Sequence, residues 1–279
     1  MLHKSILKRK RKDEMQSNIY PAKNIQEILY QMRSIAGVEL ICGGTYERNF
    51  PEKGICTRNI PELMQINKHE RYIDFGPSVS LNRIIEMGKN RVPAVLYEAT
   101  SSVSNHFIRN VATIGGNICA KDRRLTLFAP LLAMNAMLRF RNQEGIQNIE
   151  FSKFDHVQAG NLLINIRVPD EDWDVSIYKR LGPPHIVTDE TASFCFLAKT
   201  ANANLINLRI AFAGKILVAS RELENRLLGM KLPISASIIS DFIKNAGIFF
   251  DRQSEGIDYN PILKQQFLNL TQYSLSQLT

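Results

Sequence analysis

Apolar residues at Ile25, Ile28, Leu29, Met32 and Ile35 recur at the spacing of one helical face, so the segment opened by Tyr20-Pro21 predicts an amphipathic helix that Gly37 stops. The run from Val38 to Cys42 then predicts a strand. Asn59-Ile60-Pro61-Glu62-Leu63 reads as a short helical turn, and Tyr72-Ile73-Asp74-Phe75 as a strand ended by Gly76-Pro77. Ser80 is placed as an N-cap, with Leu81, Ile84 and Ile85 starting a second helix; Pro93 begins a third through Val95, Leu96 and Ala99. Leu127 to Ala133 predicts a buried helical turn or two. Ala136 to Phe140 and Asn161 to Val168 alternate as strands do, the latter ended by Pro169.

Beyond Asp170 the pattern changes to a run of strands followed by a run of helices, which is an α+β signature. Ser176 to Leu181, Ala192 to Lys199, Leu205 to Ala213 and Lys215 to Val218 predict an antiparallel meander. Helices fit Glu222 to Met230, Ala236 to Phe249 and Pro261 to Leu275. A domain boundary is placed near Asp170, and no internal repeat is visible.

Composition changes this picture little. With 279 residues the chain is long enough for two or three packed subdomains, and 44% hydrophobic residues with a mean hydropathy of -0.15 describe an ordinary globular protein. No apolar run approaches the roughly 20 residues that span a bilayer, and the start of the sequence lacks the apolar stretch of a signal peptide, so a cytoplasmic protein is expected. The net charge is +8, but six Lys or Arg residues fall between Lys4 and Lys12. Residues 1–17 therefore read as a basic, solvated tail; no aromatic residue interleaves with the charges as a nucleic-acid stacking platform requires, and neither nucleic acid nor a membrane is expected as a partner. Cys42, Cys56, Cys119 and Cys195 are scattered, and His3, His69, His106, His156 and His185 form no i, i+4 pair. Reduced thiols and no metal site are expected.

Two glycine pairs carry the chemistry: Cys42-Gly43-Gly44-Thr45 after the first strand, and Arg109-Asn110-Val111-Ala112-Thr113-Ile114-Gly115-Gly116-Asn117. A Gly-Gly step frees the backbone to adopt positive φ and removes the Cβ atoms that block a ligand, so successive N–H groups can converge on an anion. A lone pair of this kind is more often a tight turn. Here Thr45, Thr113 and Asn117 add side-chain donors beside both, which favours a ligand bearing a pyrophosphate. Arg109 has two readings, neutralising phosphate or bracing the loop through backbone carbonyls. Gly115→Val or Gly116→Val is expected to abolish ligand uptake while leaving the fold largely intact.

Ile108-Arg109-Asn110-Val111-Ala112-Thr113-Ile114-Gly115-Gly116-Asn117-Ile118 resembles, nearly residue for residue, the second flavin loop of the FAD-binding medium subunit of the molybdenum hydroxylases. That family includes xanthine dehydrogenase, aldehyde oxidoreductase and aerobic carbon monoxide dehydrogenase. Cys42-Gly43-Gly44-Thr45 is similar to its first loop. Weaker similarity runs through Phe75 to Leu81, Tyr178-Lys179, Leu208 to Gly214 and Glu222 to Gly229. The resemblance implies an FAD-binding domain of vanillyl-alcohol oxidase (PCMH) type over 18–170, made of two α/β subdomains at 18–60 and 61–170. A C-terminal domain of antiparallel sheet and helices over 171–279 follows. By position it implies that Leu40, Ile41, Cys42, Gly43, Gly44, Thr45, Tyr46, Glu47, Val103, Thr113, Ile114, Gly115, Gly116, Asn117, Asp122 and Thr126 hold the cofactor. Leu163, Ile164 and Lys179 would lie near the flavin end. No catalytic side chain is implied.

Two positions depart from the family pattern. Leu125-Thr126 stand where a Ser-Asp pair usually contacts the cofactor, and Tyr46 stands where an acidic residue is common. Loss of one charge-assisted hydrogen bond costs roughly 1.5–3 kcal/mol, which weakens flavin binding without abolishing it. The resemblance implies an electron-transfer subunit that passes electrons from iron–sulfur clusters to NAD or another acceptor. Its partners would be a molybdenum-cofactor large subunit and a [2Fe-2S] small subunit, since nothing in this chain suits either centre. The alternative is a degenerate paralogue that keeps the fold and assembly role with weak or no FAD binding.

Overall fold

A computed structural model describes residues 17–46 and 50–278. The basic segment Lys4–Lys12 and the candidate site residue Glu47 lie outside the described residues.

Three sheets follow one another along the chain. The first is parallel, in the order β1-β3-β2, from β1 (Asn18–Pro21), β2 (Glu39–Ile41) and β3 (Lys53–Cys56). Helix α1 (Ile25–Ser34) connects β1 to β2. Asn24 Oδ1 accepts the Glu27 N–H at 2.9 Å while Glu27 Oε2 accepts the Lys23 N–H at 2.8 Å, a reciprocal cap that fixes the helix start. Tyr20-Pro21 thus ends a strand instead of opening the helix. Pro21 is tolerated there because β1 is an edge strand, where a missing N–H costs no ladder bond. The C-terminal stop agrees with expectation, Gly37 taking φ +71°. Ile28, Ile55, Ile60 and Leu63 form the small core beneath this sheet.

The second sheet is antiparallel, in the order β4-β5-β8-β6-β7: β4 (Ile66–Lys68), β5 (Tyr72–Phe75), β6 (Met137–Arg141), β7 (Ile146–Glu150) and β8 (Leu162–Pro169). Between β5 and β6 the chain inserts five short helices. They are α2 (Leu81–Glu86), capped by Ser80 as predicted, α3 (Ala94–Ser101), α4 (His106–Val111), α5 (Ile114–Ile118) and α6 (Phe128–Ala133). Phe75, Leu96, Phe128, Phe140 and Ile166 bury this face of the sheet against the helices. The Phe128 and Phe151 rings meet edge to face at 4.7 Å.

The third sheet is the predicted meander, β12-β11-β10-β9, from β9 (Val175–Leu181), β10 (Ala192–Ala201), β11 (Asn204–Ala213) and β12 (Leu217–Ala219). Alternation divides β10 between two cores: Cys195 and Leu197 join the core of the inserted helices, while Phe194 and Phe196 face α8 (Ala236–Gln253) and α9 (Ile262–Ser276). A short α7 (Arg221–Asn225) precedes them. The layers therefore run sheet, helices, sheet, helices, and the connections that reach the glycine segments lie along the inserted helical layer. Among the described residues, no helix is long and apolar enough to cross a membrane.

Candidate functional site

The fold brings the two glycine segments into contact and gives them different work. β2 delivers Cys42-Gly43-Gly44, and Gly43 packs so closely on the Val111 carbonyl that a Cβ there has no room. Gly44 takes φ +59° beside the Phe50 ring. Among the described residues, the main-chain N–H groups of Gly43, Gly44, Thr45 and Tyr46 donate to no protein acceptor. Successive amides with no protein acceptor among the described residues, the first two on glycine, are a donor set that suits an anion.

The second segment contrasts with the expectation of bare amides. Thr113 caps α5, its Oγ1 accepting the Gly116 N–H at 3.1 Å, so Gly115-Gly116 lies within a helical turn. The Ile114 N–H donates to the Val79 carbonyl at 3.0 Å, the Gly115 N–H to Pro77 at 2.9 Å and the Asn117 N–H to Thr113 at 3.0 Å. Neither glycine adopts positive φ. Gly115 is needed because a Cβ would strike Pro77, whereas Gly116 is exposed and a Cβ there would approach only Thr113 Oγ1, at 3.1 Å. What α5 offers a ligand is thus the open flank at Gly116.

The segment that holds the two together, Gly76 to Ser80, was not among the expected site residues. Ser78 Oγ donates to the Thr57 carbonyl at 2.8 Å and receives the Cys42 thiol at 3.4 Å, and the Leu81 N–H donates to Ala112 at 2.9 Å. Pro77 and Ser78 fall within the Phe75–Leu81 similarity, whereas no motif in the sequence points to Thr57. Arg109 takes its bracing role: Nη1 donates to the carbonyls of Ser101, Val103 and Ser104 at 3.3, 2.9 and 3.0 Å. Its Nε is buried without a partner among the described residues.

The other expected residues are dispersed around this centre. Leu40 is half-buried and Ile41 buried. Asn117 is turned inward, Oδ1 accepting the Leu127 N–H at 3.0 Å. Asp122 accepts the Tyr46 hydroxyl at 3.2 Å, bridging the first glycine segment to the stretch after α5, and Lys121 pairs with Glu39. Leu125 and Thr126, which the resemblance aligns with a Ser-Asp pair, are buried and carry no carboxylate. Leu163 enters the central core, whereas Ile164 packs toward the first sheet. Lys179 is exposed on the opposite face of β9 from Tyr178, as strand alternation requires. Tyr178 faces the core of the inserted helices instead, its hydroxyl 3.2 Å from Ser102 Oγ and 3.4 Å from the Thr126 carbonyl. Burial pushes its phenol above the usual range, and burial with the nearby Cys42 pushes the Cys119 thiol up to about 12, so both stay neutral.

A cleft of about 330 Å³ opens beyond α5, walled in part by Ala120, Arg123, Arg124, Asp189 and Lys215. The amides of Gly43 to Tyr46 and the open flank at Gly116 offer donors and access for an anionic bridge, and this cleft offers room for a ring system. In this arrangement Gly43 to Tyr46 would hold the bridge.

A family model described as the FAD binding domain in molybdopterin dehydrogenase matches residues 14–171. Indole-3-acetaldehyde oxidase of Arabidopsis thaliana is 24% identical over 207 residues, covering 66% of this chain and 16% of its own length. Probable aldehyde oxidase 3 of Oryza sativa subsp. japonica is 28% identical over 239 residues, covering 77% and 18%. The chain thus spans less than a fifth of the length of these relatives. Among solved structures, a chain of a Cu,Mo-CO dehydrogenase in its cyanide-inactivated form superposes with a TM-score of 0.80 at 15% identity, covering 94% of this chain and 98% of that one. A chain of quinoline 2-oxidoreductase from Pseudomonas putida 86 gives 0.77 at 15%, covering 94% and 96%. At that identity the likeness shows the fold.

Proposed function

Because the chain belongs to the family of FAD-binding domains in molybdopterin dehydrogenases, we propose that it is the flavin-carrying electron-transfer subunit of a molybdenum hydroxylase. It takes electrons from iron–sulfur clusters of a small partner chain and passes them to NAD or another acceptor, while a large molybdenum-cofactor chain acts on the substrate. When bound, FAD supplies the redox chemistry; the protein binds it, orients it and sets its electrostatic surroundings. The observation that carries this reading is the amide run Gly43 to Tyr46, without a protein acceptor among the described residues, with Gly43 packed against Val111. Gly43, Gly44, Thr45 and Tyr46 hold the pyrophosphate through their N–H groups. Arg109 fixes the Ser101–Ser104 turn, and with it Val103, at the edge of the site. A division into an FAD-binding part over 18–170 and a C-terminal part over 171–279, and a cytoplasmic setting, belong to the same reading.

A second reading, a paralogue that keeps the fold and assembly role with weak or no flavin binding, is favoured by one observation: buried Leu125 and Thr126 leave no carboxylate for the cofactor. Titration of the purified protein with FAD, followed by flavin fluorescence and visible absorbance, separates the two. Saturable uptake supports the first, and no uptake at high FAD concentration supports the second.

A further inference from the structure

Helix α5 spans five residues, roughly 7 Å at 1.5 Å per residue, and the cleft begins where it ends, at Ile118 and Ala120. Its volume of about 330 Å³ lies at the low end of small-ligand pockets and admits one ring system, not a whole dinucleotide. Two cations on its wall are pinned by one carboxylate. Arg123 Nη2 donates to Asp189 Oδ1 at 2.6 Å, and Lys215 Nζ donates to Asp189 Oδ2 at 3.4 Å. Arg123 follows α5, Asp189 belongs to the connection between β9 and β10, and Lys215 to the turn between β11 and β12. The side chains of Arg123 and Lys215 are each 32% exposed, so much of each lies against protein.

Resting on the reading that FAD occupies this site, with its flavin ring and not its adenine in this cleft, we infer that Asp189 is a positioning residue that fixes Arg123 and Lys215 against that ring and sets the charge the ring experiences. Two cations and one carboxylate give this group a net charge of +1, and the cleft's other charged residues, Lys121, Arg124, Asp122 and Asp155, cancel one another; removing the Asp189 charge gives +2, and removing either cation gives 0. Positive charge beside a flavin favours its electron-rich reduced form and so raises its reduction potential.

The test is the midpoint potential of bound FAD, measured by spectroelectrochemical titration of the full chain, with thermal unfolding as a control. Asp189→Asn shifts the potential positive, Arg123→Gln and Lys215→Gln shift it negative, and Asp189→Glu stays near the wild type. All shifts shrink at high salt, because the group is partly exposed. Shifts of opposite sign are what a purely structural role does not produce. FAD-loaded variants whose potentials are unchanged, or move in one common direction, overturn the inference. A wild-type chain that takes up no FAD overturns the cofactor reading together with it.

Discussion

Gly115 donates its N–H to the Pro77 carbonyl at 2.9 Å, and a Cβ built on Gly115 would stand 2.7 Å from that same oxygen. Gly115 is therefore there for protein packing, whereas its exposed neighbour Gly116 is the one we propose to be kept for ligand access. Gly115→Ala forces the Pro77 backbone away and costs about 2–3 kcal/mol by overpacking, read as a lowered unfolding midpoint in FAD-free protein. Gly116→Ala meets only Thr113 Oγ1, so stability stays within about 1 kcal/mol, while FAD affinity falls about tenfold or more, equivalent to 1.4 kcal/mol. This replaces the expectation that valine at either position leaves the fold intact. Equal stability losses at both positions would refute the division of labour.

Much of the fold is legible along the chain because it rests on local signals. The meander from Val175 to Ala219 follows period-two alternation, α2 starts where Ser80 can cap it, and Gly37 ends α1. β1 and β3 escape the same treatment. Tyr20-Pro21 carries the signature of a helix start, and Lys53–Cys56 is a four-residue strand broken by Gly54, whose Cβ would collide with Ile41. The glycine segments are visible as motifs, but their roles are decided by partners distant in sequence. Pro77 and Val79 consume the α5 amides, and Val111 dictates Gly43. The Arg123–Asp189 pair joins residues 66 apart. No periodicity encodes such a contact; it exists only after three sheets have packed.

Asn117 separates internal bracing from ligand contact. Its Oδ1 is the acceptor for the Leu127 N–H, and Leu127 is fully buried. Asn117→Ala strands that donor and costs about 1–3 kcal/mol in FAD-free protein, measured by urea unfolding, while Asn117→Asp keeps an acceptor and most of the stability. Unchanged stability with lost FAD binding would place Asn117 in the cofactor site alone.

Gly247 lies inside α8 without positive φ, and a Cβ there would make ordinary contact with Leu268 and Lys264 at 3.8 Å. Gly247→Ala removes the helix penalty of glycine and adds a contact to α9. A gain of about 1 kcal/mol follows, seen as a melting temperature raised by about 2–4 °C. A lowered midpoint would mean that α8 and α9 pack more tightly than these distances allow.

Glu224 makes stability depend on pH. It is 3% exposed, its Oε1 accepts the Ile210 N–H at 2.8 Å, and Arg221 and Arg209 lie 3.3 and 3.5 Å from Oε2. Burial pushes the carboxyl from its ordinary 4.5 up to about 7, against the opposing pull of the Ile210 N–H and Arg221. The folded state thus holds this proton more tightly than the unfolded chain. The contribution to stability is full below the unfolded value and is lost as pH rises through the folded one, by roughly 3 kcal/mol at 1.36 kcal/mol per unit. Glu224→Gln keeps an acceptor for Ile210 and cannot ionise. Urea unfolding between about pH 4.5 and 7.5 should therefore show wild-type stability falling relative to the variant as pH rises, and parallel profiles would show that Glu224 is already ionised in the fold at low pH.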